Sequence, residues 1–209
     1  MIQNSIDYNI KCIILGDSGV GKTTLLKKIT KTLTSLEHLP TIGVDIFTIT
    51  KNIENSNIKI QIYDTAGQER YKNLVKTYYK NNSICFIVYD VCKRSSFDAV
   101  DFWLKTFKNN SSNPKALIVI IANKIDNNKR IISYNEGKTL ADYYKTFYFE
   151  TSTKLPVNLE NIIIEPVTQL LYLYKKRVFE PIETNGFRDI NLDIDKYKLQ
   201  NKKKCCIIQ

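Results

Sequence analysis

The sequence predicts an α/β fold: a six-stranded, mostly parallel sheet with one antiparallel edge strand, flanked by about five helices. Three observations carry that prediction. Apolar runs of strand length alternate with stretches of helical period through residues 8–177, as successive strand–helix–strand units do. Residues 83–89 and 116–122 are nearly continuous apolar runs, as strands covered on both faces must be. Residues 43–50 and 58–63 instead alternate with period two around Asn55, Ser56 and Asn57, which reads as a hairpin at the antiparallel edge.

In chain order, the first strand covers residues 10–15 and runs straight into Gly16-Asp17-Ser18-Gly19-Val20-Gly21-Lys22-Thr23, which fits G-x-x-x-x-G-K-[ST]. Residues 24–29 then place apolar side chains at helical spacing. Strand, glycine loop and helix are the setting in which this motif cradles phosphate. Gly16 and Gly21 can adopt backbone angles closed to other residues, so successive N–H groups can turn inward around an anion. The helix starting near Gly21 adds unsatisfied N–H groups and partial positive charge. Lys22 can reach the outer phosphates, and the Thr23 hydroxyl is placed to ligate Mg²⁺.

The second hairpin strand leads into Asp64-Thr65-Ala66-Gly67-Gln68-Glu69-Arg70. An acid leaving a strand end beside a phosphate loop can hold Mg²⁺ through water. Gly67 can offer its N–H to the terminal phosphate, and Gln68 has the donor and acceptor needed to align an attacking water. A helix over 96–108 puts Phe97, Val100, Trp103, Leu104 and Phe107 on one stripe, with Ser95 or Ser96 as its cap. The strand at 116–122 ends in Asn123-Lys124-Ile125-Asp126. An Asp there can accept two hydrogen bonds from one edge of guanine, whereas adenine would leave the carboxylate unpaired. A helix over 135–145 and a short strand near 147–149 lead to Glu150-Thr151-Ser152-Thr153-Lys154, where backbone N–H groups can meet the guanine carbonyl. The last helix runs from about 158 to 177, and Pro166 within it predicts a kink or a break. Beyond Arg177 no period is sustained, so the chain divides into a domain at 1–177 and a flexible tail at 178–209.

Composition narrows the classes. The net charge of +10 invites a nucleic-acid reading, but the basic residues are scattered along the chain rather than gathered in one dense patch. A basic solvated surface is expected, with no nucleic-acid partner. Of five cysteines, Cys12 and Cys85 sit in apolar runs as buried thiols, and no pair has metal-ligand spacing. No apolar run reaches membrane-spanning length and no signal peptide is evident, so a cytosolic setting is expected.

The chain resembles the Ras superfamily of small GTPases, specifically its Rab branch, over roughly residues 8–177. The resemblance rests on residues 16–23, on Thr41-Ile42-Gly43-Val44-Asp45, on Asp64 to Arg70, on Asn123 to Asp126 and on Glu150 to Lys154, in the family's order and approximate spacing. It implies the P-loop small-GTPase fold, GTP or GDP with Mg²⁺ as cofactors, and GTP hydrolysis that is slow without an activating protein. Nucleotide would be held by Asp17, Ser18, Gly19, Val20, Gly21, Lys22, Thr23, Thr24, Thr41, Gly67, Asn123, Lys124, Asp126, Ser152, Thr153 and Lys154. Thr23, Thr41 and Asp64 would hold the metal, and Gln68, Lys22 and Thr41 would serve catalysis. Residues 36–46 and 67–79 would meet an exchange factor, a GTPase-activating protein, a GDP-dissociation inhibitor or escort protein, and effectors, with the chain itself a monomer.

Some positions depart from the family pattern. Residues 32–36 lack the aromatic that usually covers the guanine edge, which implies faster nucleotide exchange. His38 stands where an aromatic often closes over the phosphates, and Ile46 and Tyr63 replace the usual Phe and Trp on the effector face. After three lysines the tail ends Cys205-Cys206-Ile207-Ile208-Gln209, where Cys206 opens a C-a-a-X prenylation motif and Cys205 makes the double cysteine of Rab tails, so one or both carry lipid. Lipid plus polybasic charge gives stable attachment, so the expected place is the cytoplasmic face of an intracellular membrane, cycling with cytosol. The resulting reading is a membrane-anchored switch in vesicle traffic. A Ras- or Rho-like signalling GTPase and a GTP-binding scaffold with little hydrolysis are the alternatives.

Overall fold

Seven strands join in one sheet in the computed structural model of the chain, which describes residues 5–33, 44–65, 77–155, 157–176 and 187–189. Strand β1 (Tyr8–Leu15) lies inside the sheet, parallel to β3 (Ser56–Thr65) on one side and to β4 (Ile84–Asp90) on the other. With β2 (Val44–Ile53), β5 (Leu117–Asn123) and β6 (Phe147–Thr151) the order is β2-β3-β1-β4-β5-β6, and only β2 in that path is antiparallel. The hairpin turns at Glu54 and Asn55, both with positive φ (50° and 63°), one residue earlier than the turn chemistry predicts. Two left-handed residues match the twist of the flanking strands and give a two-residue turn.

The continuous apolar runs bury both faces as expected. On one face Ile10, Cys12 and Ile14 of β1 pack with Leu25 and Leu26 of α1 (Lys22–Leu33) and with Val167 and Leu170 of α5 (Asn161–Lys175). On the other, Ile13 and Leu15 pack with Val100, Leu104 and Phe107 of α3 (Val100–Asn110) and Ala141 of α4 (Tyr134–Tyr144). Successive β residues therefore feed two separate cores.

Several local expectations are corrected. The helix predicted at 96–108 begins earlier, as the short α2 (Arg94–Asp98) followed by α3, and neither serine caps it. Ser96 is buried instead, where its Oγ accepts the Asp90 N–H at 3.0 Å. Helix α4 has a full capping box between Ser133 and Glu136, whose reciprocal bonds satisfy the amides of those two residues. Helix α5 is a single segment through the buried Pro166, so the predicted break is absent; it starts at Asn161, three residues after the left-handed Asn158 with φ 56°. The largest departure lies in the expected tail, where β7 (Phe187–Asp189) pairs antiparallel with Tyr8–Ile10. Strand β4 pairs β1 only from Cys12 onward, so the start of β1 overhangs and keeps an open edge that β7 fills. Among the described residues no helix is long and apolar enough to cross a membrane.

Candidate functional site

The predicted site residues that are described gather at the carboxyl ends of β1, β3, β5 and β6, where ligands bind in open α/β sheets. Strand β1 ends at Leu15 and the chain turns at Gly16, whose φ is +136° and whose missing Cβ would overlap the Val88 carbonyl oxygen. Gly21, with φ +100°, admits no Cβ either, because one would stand 2.6 Å from Asn123 Nδ2. Both glycines are therefore required by backbone angle and by space.

Lys22 opens α1 and is buried. Its Nζ folds back to donate to the carbonyls of Gly16 at 2.6 Å and Asp17 at 2.8 Å. Burial pulls its pKa down, and the carboxylates of Asp64 and Asp17 oppose that. Across the loop, Asp64 Oδ2 accepts the Thr23 hydroxyl, while Oδ1 is buried without a hydrogen-bond partner. Burial pushes the Asp64 pKa up, against the pull of the Thr23 hydroxyl and Lys22. A buried carboxylate oxygen with nothing to accept from, next to a hydroxyl, fits the water shell of a hard divalent cation. Among the described residues no cluster of three or more His, Cys, Asp or Glu could form an all-protein cage. The donor set thus suits a cation that keeps waters and takes other ligands from a phosphate, as Mg²⁺ does.

At the other end, Asp126 Oδ1 accepts the Ser152 hydroxyl at 2.5 Å, and its Oδ2 lies 3.5 Å from the ammonium of the exposed Lys154. Ser152 is itself held by the amides of Lys154 and Leu155, at 3.1 and 3.0 Å. The Ser152 hydroxyl is the main cause holding the Asp126 carboxyl below the usual carboxylate range. The carboxylate is therefore ionised, and its second oxygen faces the exposed Lys154 ammonium.

Asn123 joins the two ends. It is buried, its Nδ2 donates to the Val20 carbonyl at 2.9 Å, and its Oδ1 accepts from Thr151 Oγ1 at 3.2 Å. Lys124, with φ +68°, reaches over the loop to donate to the Gly19 carbonyl at 2.8 Å and pairs with Asp90 at 2.6 Å. Ser18, Gly19 and Thr24 are exposed at the mouth, and Thr153 is half-buried. Thr41, Gly67, Gln68, His38, Cys205 and Cys206 lie outside the described residues. Of the predicted partner face, Ile46 is exposed, and Tyr63 lies against Tyr78 with ring centroids 5.6 Å apart.

Two contacts escaped the sequence. Trp103 Nε1 donates to Asp17 Oδ1 at 2.9 Å, so α3 anchors the phosphate loop. A tryptophan in an apolar stripe carries an N–H that needs a partner when covered, and that was the only available signal. Asp90, which closes β4 in the Val88-Tyr89-Asp90 run shared with the Rab pattern, pairs with Lys124, a contact that run does not announce.

A family model described as the Ras family matches residues 11–172. Ras-related protein RABA1c of Arabidopsis thaliana is 35% identical over 212 aligned residues, which cover 98% of this chain and 96% of the relative. Ras-related protein Rab11E of Lotus japonicus is 35% identical over 213, with the same coverage. Ras-related protein YPT3 of Nicotiana plumbaginifolia is 38% identical over 179, covering 85% of this chain and 82% of its own.

Proposed function

The chain belongs to the Ras family of small GTPases, in its Rab-type branch, and on that premise we propose that it is a GTP-hydrolysing, lipid-anchored switch in membrane traffic. The single observation that carries the reading is the brace made by Asn123. It fixes the phosphate loop, through Val20, at a set distance from the Asp126–Ser152 pair. A phosphate cradle rigidly joined to an ionised carboxylate is built for a nucleotide whose base offers adjacent N–H donors, as guanine does.

In this reading Lys22 exchanges its loop carbonyls for the β- and γ-phosphate oxygens, and loop amides between Asp17 and Thr24 enclose the phosphates. Thr23, Thr41 and the water-bridging Asp64 hold Mg²⁺, which supplies charge neutralisation on the phosphate oxygens when bound. Gln68 orients the attacking water. Catalysis is positioning and charge, so turnover is slow until an activating protein adds roughly 10³–10⁵. Asp126 reads the base, with Lys124, Ser152, Thr153 and Lys154 around it. Regulators and effectors meet residues 36–46 and 67–79, and Cys205 and Cys206 carry the lipid that places the monomer on the cytoplasmic face of an intracellular membrane.

The test is competition for bound fluorescent GDP. Wild-type protein should prefer GTP over XTP and ATP, and Asp126→Asn should lose at least about 100-fold of its GTP preference over XTP, the scale of two charge-assisted hydrogen bonds. Equal competition by ATP and GTP in the wild type, or an unchanged ratio in the variant, would overturn the assignment.

A further inference from the structure

We propose that Asp90 is a positioning residue for the nucleotide, acting through Lys124. The inference rests on the guanine-nucleotide reading above and adds a residue to it. Lys124 is a left-handed, non-glycine residue at the end of β5, with φ +68°. Its stem crosses the phosphate loop, since Cε lies 3.9 Å from where a Cβ on Gly21 would sit. The ammonium then ends between two acceptors, the Gly19 carbonyl at 2.8 Å and Asp90 Oδ2 at 2.6 Å.

Of the three groups, only Asp90 is fixed from several sides. It pairs in register with Asn123 across β4 and β5, so the residue before Lys124 and Asp90 are locked together. Its Oδ1 accepts the Cys92 N–H at 2.9 Å, and its own N–H donates to the buried Ser96 Oγ at 3.0 Å. Ser96 Oγ in turn donates to the Lys93 carbonyl at 2.7 Å. The following Val91 N–H donates to the Asn123 carbonyl at 3.1 Å. The Asp90 side chain is only 12% exposed, against 35% for Lys124. A lysine has a flexible four-carbon stem and loses substantial rotamer freedom when it is held. Asp90 supplies the rigid, mostly buried counter-charge that holds it. With that charge in place, the stem stays over the loop as one wall of the base site, and Gly19 stays tied to it.

The experiment is a double-mutant cycle on the full chain, read by the release rate of mant-GDP. Asp90→Asn removes the charge and keeps an oxygen for the Cys92 amide. Release should accelerate about fivefold to thirtyfold, as loss of one strong, partly buried contact predicts. In a Lys124→Met background the same substitution should change release less than about twofold, because its effect runs through the ammonium. A general loosening of the fold would instead accelerate release in both backgrounds. Asp90→Ser is the second variant, with the same two expectations. Unchanged release in Asp90→Asn, or equal acceleration in both backgrounds, overturns the proposal while leaving the guanine reading intact. A wild-type chain that retains no mant-GDP overturns both.

Discussion

An alanine at Gly137 would press its Cβ onto the hydroxyls of both Tyr89 and Tyr148. Those hydroxyls lie 3.2 Å apart, Tyr148 also donates to Glu150 at 3.2 Å, and Glu150 takes Arg130 through both guanidinium nitrogens, one of them at 3.1 Å. In an open helix, glycine to alanine gains about 1 kcal/mol of helix propensity. Against a closed polar network with stiff rings, overpacking costs about 1–3 kcal/mol, so the second effect wins. Gly137→Ala should therefore lower the unfolding free energy by up to roughly 2 kcal/mol. Urea denaturation of the GDP-bound protein checks this, and a variant more stable than wild type would contradict it. Residues of this kind explain what sequence reading reached and missed. Lys22, Asp126 and Ser152 were legible because their partners lie in motifs of fixed spacing. The contacts of Asp90 and Trp103 were not, because their partners Lys124 and Asp17 are distant in sequence and only the fold brings them near.

At the scale of elements, strands with many residues wrote their period into the sequence, and β7 did not. Three residues cannot display alternation, and what places Phe187–Asp189 is the overhang of β1 beyond β4, a property of register. Helix α2, five residues long, was caught only from Ser96 onward, as part of the single helix predicted at 96–108. The pairing of β7 has a geometric consequence. From Lys176 to Cys205 the chain has 29 residues, but from Asp189 only 16. At roughly 3.5 Å per residue, the longest reach to the proposed lipid falls from about 100 Å to about 56 Å. Strand β7 joins β1 at its start, so Asp189 lies at the end of the sheet opposite the phosphate loop. Arg188→Pro removes a backbone N–H opposite Asn9 and resists sheet pairing. Hydrogen exchange should then quicken at least about tenfold at the amides of Tyr8–Ile10 that face β7, with the global unfolding free energy within about 1 kcal/mol of wild type. Identical exchange in the two proteins would show that the pairing does not persist in solution.

For the whole molecule, the arrangement that mattered most was also the most legible: a sheet buried on both faces, announced by unbroken apolar runs. That arrangement makes an alkaline limit to stability. Tyr89 is fully buried in the core beside α3 and α4, and burial pushes its phenol up to about 12, only partly offset by the Tyr148 hydroxyl. The buried thiols of Cys12 and Cys85 are likewise raised from about 9 by burial, one on each face of the sheet. The native state holds these protons while the unfolded chain releases its thiol protons near pH 9 and its phenol protons near pH 10. Stability from these groups is complete below about pH 9 and is lost as pH rises toward 12, because the unfolded state then binds fewer protons. With its phenol raised from 10.0 to about 12, Tyr89 alone accounts for at most about 2–3 kcal/mol. Denaturation measured from pH 8 to 12 should show a decline beginning near 9 and steepening above 10, with tyrosinate absorbance lagging in the folded protein. Tyr89→Phe, which keeps the ring and removes the proton, should start from a lower stability and fall less steeply above pH 10. A stability flat from pH 9 to 12 would mean that neither core excludes water as its packing requires.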